Sequence, residues 1–239
     1  MPQAMDLQVK LFMDGANIDK MRDALENNPL IKGFTTNPTL MRKAGVTDYV
    51  SFAKKALTVV QGLPISFEVF SDDLESMERE ARIIAGWGKN ANVKIPITNT
   101  KGESCCPLIQ KLSSEGIIVN ITAVMNLKQV QAVADVLTPD VPAIVSVFAG
   151  RIADTGRNPI PYMEASLKIL KDLPEAKLLW ASPREVLNIY QAAEIGCHII
   201  TATPELIDKL SLANKDLEQY SLETVEMFYK DAHAANFSI

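Results

Sequence analysis

Eight short apolar runs recur along the chain, and their spacing restricts the fold more than any other feature of the sequence. They lie at 9–14, 31–36, 65–70, 91–95, 117–122, 143–148, 177–181 and 198–202. Each has strand length, and successive runs start roughly 25 to 35 residues apart, about the length of one strand–helix unit. With 239 residues, eight such units fill the chain and leave one large core in one domain.

The stretches between the runs read as amphipathic helices. Ser71 or Asp72 can cap a helix that puts Leu74, Met77, Ala81 and Ile84 on one face, with Gly86 and Gly88 as stops. Asn126 precedes a stripe of Leu127, Val130, Val133 and Leu137, closed by Pro139. The segment Ser182-Pro183-Arg184-Glu185 reads as a capping box with proline at the first helical position. Gly116 and Gly196 each precede a strand, where a helix C-terminus belongs.

An unbroken series of eight units predicts a closed (β/α)₈ barrel, a TIM barrel. The alternative, an open doubly wound sheet, usually carries G-x-G-x-x-G after its first strand, and Asp14-Gly15-Ala16-Asn17 does not match. The barrel is expected over residues 1–220. A further helix is expected within 221–239, capped by Ser221, with Leu222, Val225, Phe228, Tyr229 and Ala232 as its apolar residues. That helix needs a surface, on its own barrel or on a neighbour's.

Strand parity then locates chemistry. Alternate side chains of a barrel strand point inward. Val93 and Ile95 share one face, so Lys94 and Asn92 share the other. Glu68 lies opposite Phe67 and Val69; Asn120 and Thr122 lie opposite Val119 and Ile121; Ser146 and Phe148 lie opposite Val145 and Val147. Asp14 ends the first run, and Thr35 and Asn37 end the second. Six consecutive strands therefore aim polar groups at the C-terminal mouth, where barrel enzymes hold their active sites.

Singly, each residue has an ordinary explanation: a solvated lysine, a helix-capping aspartate, an Asn-Pro turn. As a buried cluster they are costly to desolvate, and proteins keep such clusters mainly for chemistry. A lysine among apolar walls loses the preference for its charged form and becomes a nucleophilic amine. An amine and a ketone give an imine, an electron sink for cleaving the neighbouring carbon–carbon bond. One carboxylate is then needed near the amine and another near the departing hydroxyl, and Glu68 and Asp14 fill those places. The scheme needs no metal and no organic cofactor. Arg184 next to Ser182, at an expected helix start after the seventh strand, opposes the helix dipole and points to a bound anion; Arg151 supplies a second guanidinium.

At these residues the sequence resembles the transaldolase family, specifically short bacterial and archaeal members related to fructose-6-phosphate aldolase. The matching segments are 11–14, 33–39, 67–70, 92–98, 116–122, 146–151 and 180–184, including Thr-Thr-Asn-Pro at 35–38 and Val-Lys-Ile-Pro at 93–96. The resemblance implies Lys94 as the Schiff-base lysine, Asp14 as acid and base, and Glu68 with Thr122 holding a catalytic water. It implies that Thr35, Asn37, Asn120 and Ser146 orient a dihydroxyacetone unit, and that Arg151, Ser182 and Arg184 hold phosphate. Glu68 and Phe148 are the transaldolase-like choices, where aldolase-like members carry Gln and Tyr. The implied reaction moves dihydroxyacetone from fructose 6-phosphate or sedoheptulose 7-phosphate to an aldose phosphate, in the pentose phosphate pathway. Pentamers or decamers that exchange C-terminal helices are implied as well. The chain departs from the family at Gly15, Pro183 and Cys105-Cys106. A simple aldolase releasing free dihydroxyacetone and a non-catalytic sugar-phosphate-binding barrel are the competing readings.

Composition narrows the partners. A net charge of −5 with no Lys/Arg run argues against nucleic acid. No apolar run approaches the roughly 20 residues that span a bilayer, and residues 1–4 open without a basic, apolar leader pattern. Three cysteines, two of them adjacent, form no disulfide framework or zinc spacing, which fits reduced thiols in a cytoplasm.

Overall fold

The computed structural model describes residues 7–237; residues 1–4, on which the leader reading rests, and the last two of the chain lie outside them. Eight parallel strands close in sequence order. They are β1 (Lys10–Asp14), β2 (Ile31–Thr35), β3 (Ile65–Glu68), β4 (Ala91–Pro96), β5 (Val119–Val124), β6 (Ala143–Val147), β7 (Ala176–Trp180) and β8 (Ile199–Ala202), and β8 pairs back onto β1. The predicted (β/α)₈ barrel is present.

The helices are α1 (Ile18–Asn27), α2 (Pro38–Lys43), α3 (Tyr49–Val59), α4 (Leu74–Ala85), α5 (Cys106–Ser114), α6 (Leu127–Ala134), α7 (Ala149–Asp154), α8 (Ile160–Ile169), α9 (Leu187–Glu194), α10 (Pro204–Asp208) and α11 (Leu217–Ala234). Two connections, β2 to β3 and β6 to β7, carry two helices each where the sequence pattern suggested one. Helix α6 starts after Asn126 as expected, with Val130 and Val133 buried, but it ends at Ala134, short of Leu137. A capping box that the sequence reading did not note, Asn126 accepting from the Gln129 amide and the Gln129 side chain answering, fixes its start. Helix α4 buries Met77, Ala81 and Ile84 at helical spacing and stops at Gly86.

Two parity classes give two apolar layers. Outward residues such as Val93, Ile95, Phe67, Ile121 and Val145 join the helices in the main core. Each fully buried side chain of this size contributes about 1.5–3 kcal/mol of burial free energy. Inward, a smaller cluster of Phe12, Ile144, Leu179, Ala181 and Ile199 fills the barrel on the β6–β7–β8–β1 side. The Phe12 ring takes the space that a side chain at position 33 would need: a Cβ on Gly33 would meet it at 2.5 Å. Ser66, Asn92, Lys94 and Asn120 are buried on the other half, while two inward hydroxyl residues, Ser146 of β6 and Thr201 of β8, are buried on the apolar side.

Three predicted helix starts are displaced. Asp73, not Ser71 or Asp72, caps α4; Ser71 instead donates to Glu80, and the Asp72 carboxylate accepts from the amide and hydroxyl of Thr100. Ser182 is no cap. It has φ of 62°, and α9 begins only at Leu187, because the Asn188 side chain accepts the amides of Arg184 and Glu185. The last helix begins at Leu217 under an Asp216 cap, five residues before the Ser221 cap expected. None of its residues is buried against its own barrel, and Leu222, Val225, Phe228 and Tyr229 are 51–64% exposed. Among the described residues, no helix is long and apolar enough to cross a membrane. Cys105, Cys106 and Cys197 are free thiols, all buried.

Candidate active site

A cavity of about 530 Å³ opens at the C-terminal mouth of the barrel. Eleven of the twelve residues singled out from the sequence line it; Asn120 does not. Asn120 is fully buried below, donating to the Ser66 hydroxyl (2.9 Å) and accepting from Ser146 Oγ (2.6 Å). It reaches the cavity through Ser146, whose hydroxyl donates its one hydrogen bond to the Asn120 amide oxygen.

Strand register sets the centre of the site. Glu68 pairs with Lys94 across β3 and β4, so both point inward from the same layer. Lys94 Nζ lies 3.1 Å from Glu68 Oε2 and donates to the Thr36 carbonyl at 2.9 Å. The lysine therefore sits among polar partners rather than the apolar walls expected. The side chain is 8% exposed, so it reaches the cavity without reaching bulk solvent.

Asp14 faces it from the end of β1. Thr35 Oγ1 donates to Asp14 Oδ1 at 2.8 Å, and Asn37 Nδ2 approaches Oδ2 at 3.4 Å. Asn37 does two jobs, because its Oδ1 also caps α2 by accepting from the Leu40 amide. Burial pushes the Asp14 carboxyl above its usual range, and nearby Glu68 adds to that; Lys94 and the bonds from Thr35 and Asn37 oppose it.

Thr122 is aimed by an irregularity. The β5–β6 register shifts between Ile121 and Val124, and Ala123 sits at φ of 61°, a conformation that costs a non-glycine residue energy. Thr122 Oγ1 lies on the cavity wall and is buried without a hydrogen-bond partner among the described residues. A hydroxyl without a partner, on the same cavity wall as Lys94 and Glu68, is a place to hold a water.

The arginine wall of the cavity is built by a close backbone approach. The Gly150 amide donates to the Ala181 carbonyl, and a Cβ on Gly150 would fall 1.5 Å from the Ser182 carbonyl oxygen. This contact brings Arg151 on α7 and Arg184 in the β7–α9 loop to one wall. The Arg151 guanidinium lies 5.6 Å from the centre of the Phe148 ring. Arg184 donates to Ser182 Oγ (2.8 Å) and, through Nε and Nη2, to both Asp154 oxygens. Its counter-charge is thus Asp154 and not a helix end: Arg184 stands three residues ahead of α9. The same bonds hold the Asp154 carboxyl below the usual carboxylate range.

Sequence reasoning missed Thr201 and Lys43, which also line the cavity. Strand parity would have found Thr201, which shares a face with Ile199 in β8; nothing in the α2 sequence marks Lys43.

The family model for Transaldolase/Fructose-6-phosphate aldolase matches residues 11–239. The chain belongs to this family. A "Probable transaldolase" of Thermoanaerobacter sp. (strain X514) is 37% identical over 196 residues, covering 81% of this chain and 85% of that protein. Another from Methanococcus maripaludis (strain C6) is 31% identical over 216 residues, covering 89% and 95%. A solved dihydrodipicolinate synthase from Rhodopseudomonas palustris shares the fold at a TM-score of 0.50 with 14% identity, over 94% of this chain and 79% of that one. Within the transaldolase/fructose-6-phosphate aldolase family, the resemblance read from Thr-Thr-Asn-Pro and Val-Lys-Ile-Pro falls on this cavity: Thr35, Asn37 and Lys94 are on its wall.

Proposed function

We propose that the chain is a transaldolase that carries a dihydroxyacetone unit as an imine on Lys94, taking it from fructose 6-phosphate or sedoheptulose 7-phosphate to an aldose phosphate. The single observation that supports this best is a buried lysine paired with one carboxylate, Glu68, in a cavity that a second carboxylate, Asp14, also lines. Two guanidiniums on the same cavity suit a phosphorylated sugar. Phe148, whose ring brings no hydroxyl, and Glu68 are the residues that the resemblance associates with transfer rather than free aldol cleavage.

The chemistry runs as follows. Lys94 gives its extra proton to Glu68, and the free amine attacks the ketose carbonyl; the carbonyl oxygen leaves as water after protonation. Glu68 and the unpartnered Thr122 hydroxyl hold that water. Asp14 Oδ2 takes the proton of the C4 hydroxyl, the C3–C4 bond breaks, and its electrons move onto the iminium nitrogen, leaving an enamine. The aldose phosphate departs and a second enters. The enamine carbon attacks its carbonyl, Asp14 returns the proton, and water releases the new ketose. Ser146, its proton committed to Asn120, offers its oxygen to a substrate hydroxyl. Arg151, Ser182 and the Arg184 N–H groups not used by Asp154 take the phosphate. The exposed apolar residues of α11 pack on another copy of the chain in a homo-oligomer, and the enzyme works in the cytoplasm.

Borohydride reduction with fructose 6-phosphate tests the reading. The expected result is a three-carbon mass on the peptide containing Lys94, and sedoheptulose 7-phosphate as product when erythrose 4-phosphate is added. A label on Lys89 or Lys101 would sink the lysine assignment. Free dihydroxyacetone as the sole three-carbon product would mark an aldolase, and no adduct at all would mark a binding barrel.

A further inference from the structure

Thr201 has no part in the reaction just described, yet it is 5% exposed, lies on the cavity wall and stands in the apolar half of the barrel interior. It shares a face with Ile199 on β8 and pairs with Phe12 of β1 in register. Its recorded side-chain partner is Thr35 Oγ1, at 2.6 Å. Thr35 Oγ1 in turn lies 2.8 Å from Asp14 Oδ1. Three oxygens from three strands thus form a line that ends on Asp14.

Counting protons fixes the direction of that line. Each threonine hydroxyl carries one proton, and an ionised aspartate carries none. The 2.8 Å bond to Asp14 therefore uses the Thr35 proton. Thr35 can then only accept at the 2.6 Å contact, so Thr201 must donate. A proton on Asp14 Oδ2 leaves this order intact. A proton on Oδ1 would reverse both bonds and turn the Thr201 hydrogen away from its partner.

We propose that Thr201 is a positioning residue that, by donating to Thr35, locks this chain of hydroxyls in one direction and confines proton exchange at Asp14 to Oδ2. The inference rests on the transfer reading for its use in catalysis, but the hydrogen-bond order itself does not. Chained hydrogen bonds polarise one another, so the Thr201 donation strengthens the bond from Thr35 and favours the carboxylate. The charged groups facing Asp14 are Lys94 from β4 and Glu68 from β3; β2 brings the uncharged Thr35 and Asn37, and β8 brings Thr201. Lys43, Arg151 and Arg184 line the same cavity at its rim and wall. Substitution at position 201 leaves all of these charges in place.

The test is a titration of the Asp14 carboxyl by ¹³C NMR on the full chain with labelled aspartate, the signal assigned with Asp14→Asn. Thr201→Val is expected to raise the midpoint by roughly half a pH unit. Thr201→Ser, which keeps the hydroxyl, restores the wild-type midpoint. Thr35→Val raises it further, and Thr35→Val with Thr201→Val matches Thr35→Val alone, since Thr201 then has no route to Asp14. The acid limb of kcat moves up with the midpoint while KM stays. A Thr201→Val protein that titrates like wild type overturns the proposal, as does an equal rise from Thr201→Val in the Thr35→Val background. Should Thr201→Val fail to fold, Thr201→Ala carries the same loss of a donor without the branched side chain. Because the titration uses no substrate, a failure to trap Lys94 would overturn the transfer reading and leave this result readable.

Discussion

Replacing Gly150 by alanine strikes the proposed phosphate wall without removing any charge. The new Cβ would sit 1.5 Å from the Ser182 carbonyl oxygen and 2.6 Å from its carbon. Both are backbone atoms, so no rotamer change relieves the clash. Reaching ordinary contact at 3.4 Å requires α7 and the β7–α9 loop to part by about 1.9 Å. Overpacking of this kind costs about 1–3 kcal/mol, a fall of roughly 2–12 °C in melting temperature for a chain of this size. The functional loss is larger, because Arg151 rides on α7 and Arg184 rides on the loop. A displacement of about 1 Å can cost on the order of 100-fold in rate. Losing one charge-assisted bond of about 1.5–3 kcal/mol lowers kcat/KM roughly 10- to 150-fold. The assay compares fructose 6-phosphate with the neutral pair dihydroxyacetone and glyceraldehyde, beside a thermal melt by circular dichroism. The expected outcome is a loss confined to the phosphorylated substrate. Equal losses on both kinds, or wild-type constants with fructose 6-phosphate, would refute the reasoning.

Thr122→Val removes a buried hydroxyl without a hydrogen-bond partner among the described residues, so the melting temperature is expected to hold while kcat falls on the order of 100-fold through slower imine formation and hydrolysis; a large drop in stability would show that the hydroxyl is a structural bond instead. Asp14 is raised on folding above the 3.8 of an unfolded aspartate, so its stabilising contribution is full below that pH and is lost as pH rises through the folded value. Asp14→Asn is therefore expected to be more stable than wild type at pH 7 in urea, with the gap closing toward pH 4, and inactive; lower stability at pH 7 contradicts the direction. Val225→Asp with Phe228→Asp, on the exposed face of α11, is expected to lower the sedimenting mass while leaving the barrel folded. A wild-type chain that already sediments as a monomer disposes of the assembly.

The period-two alternation of the strands carried most of what could be read in advance. Apolar Val93 and Ile95 had to face the helices, and that alone turned Lys94 inward beside Glu68. What escaped was decided by contacts between distant segments. The Ser-Pro-Arg-Glu stretch has every local mark of a helix start, but Gly150 holds Ser182 in a left-handed turn, and Asn188 takes the amides that a cap at Ser182 would have served. Asn120 faces inward as its parity demands, yet Ser66 and Ser146 close over it, and no local pattern reports depth along a barrel axis. Thr201 was in plain view of the parity rule, on a strand whose other inward residue is apolar. The 18-residue α11 was legible as a helix from its stripe, but its start lay with Asp216, which a stripe does not encode.

The packed ring of Phe12 against Gly33, with Ile144, Leu179 and Ile199 beside it, fills one side of the barrel interior. A cavity entered from the C-terminal mouth of the barrel imposes an order of traffic. On the proposed reaction, the first aldehyde has to leave by the opening through which the second arrives, so the two never share the cavity. Double-reciprocal plots at several acceptor concentrations should then run parallel, the kinetic signature of a ping-pong cycle. Water uses the same doorway, so a slow acceptor leaves the loaded lysine open to hydrolysis, and the balance between transfer and waste is set by who stands at the door.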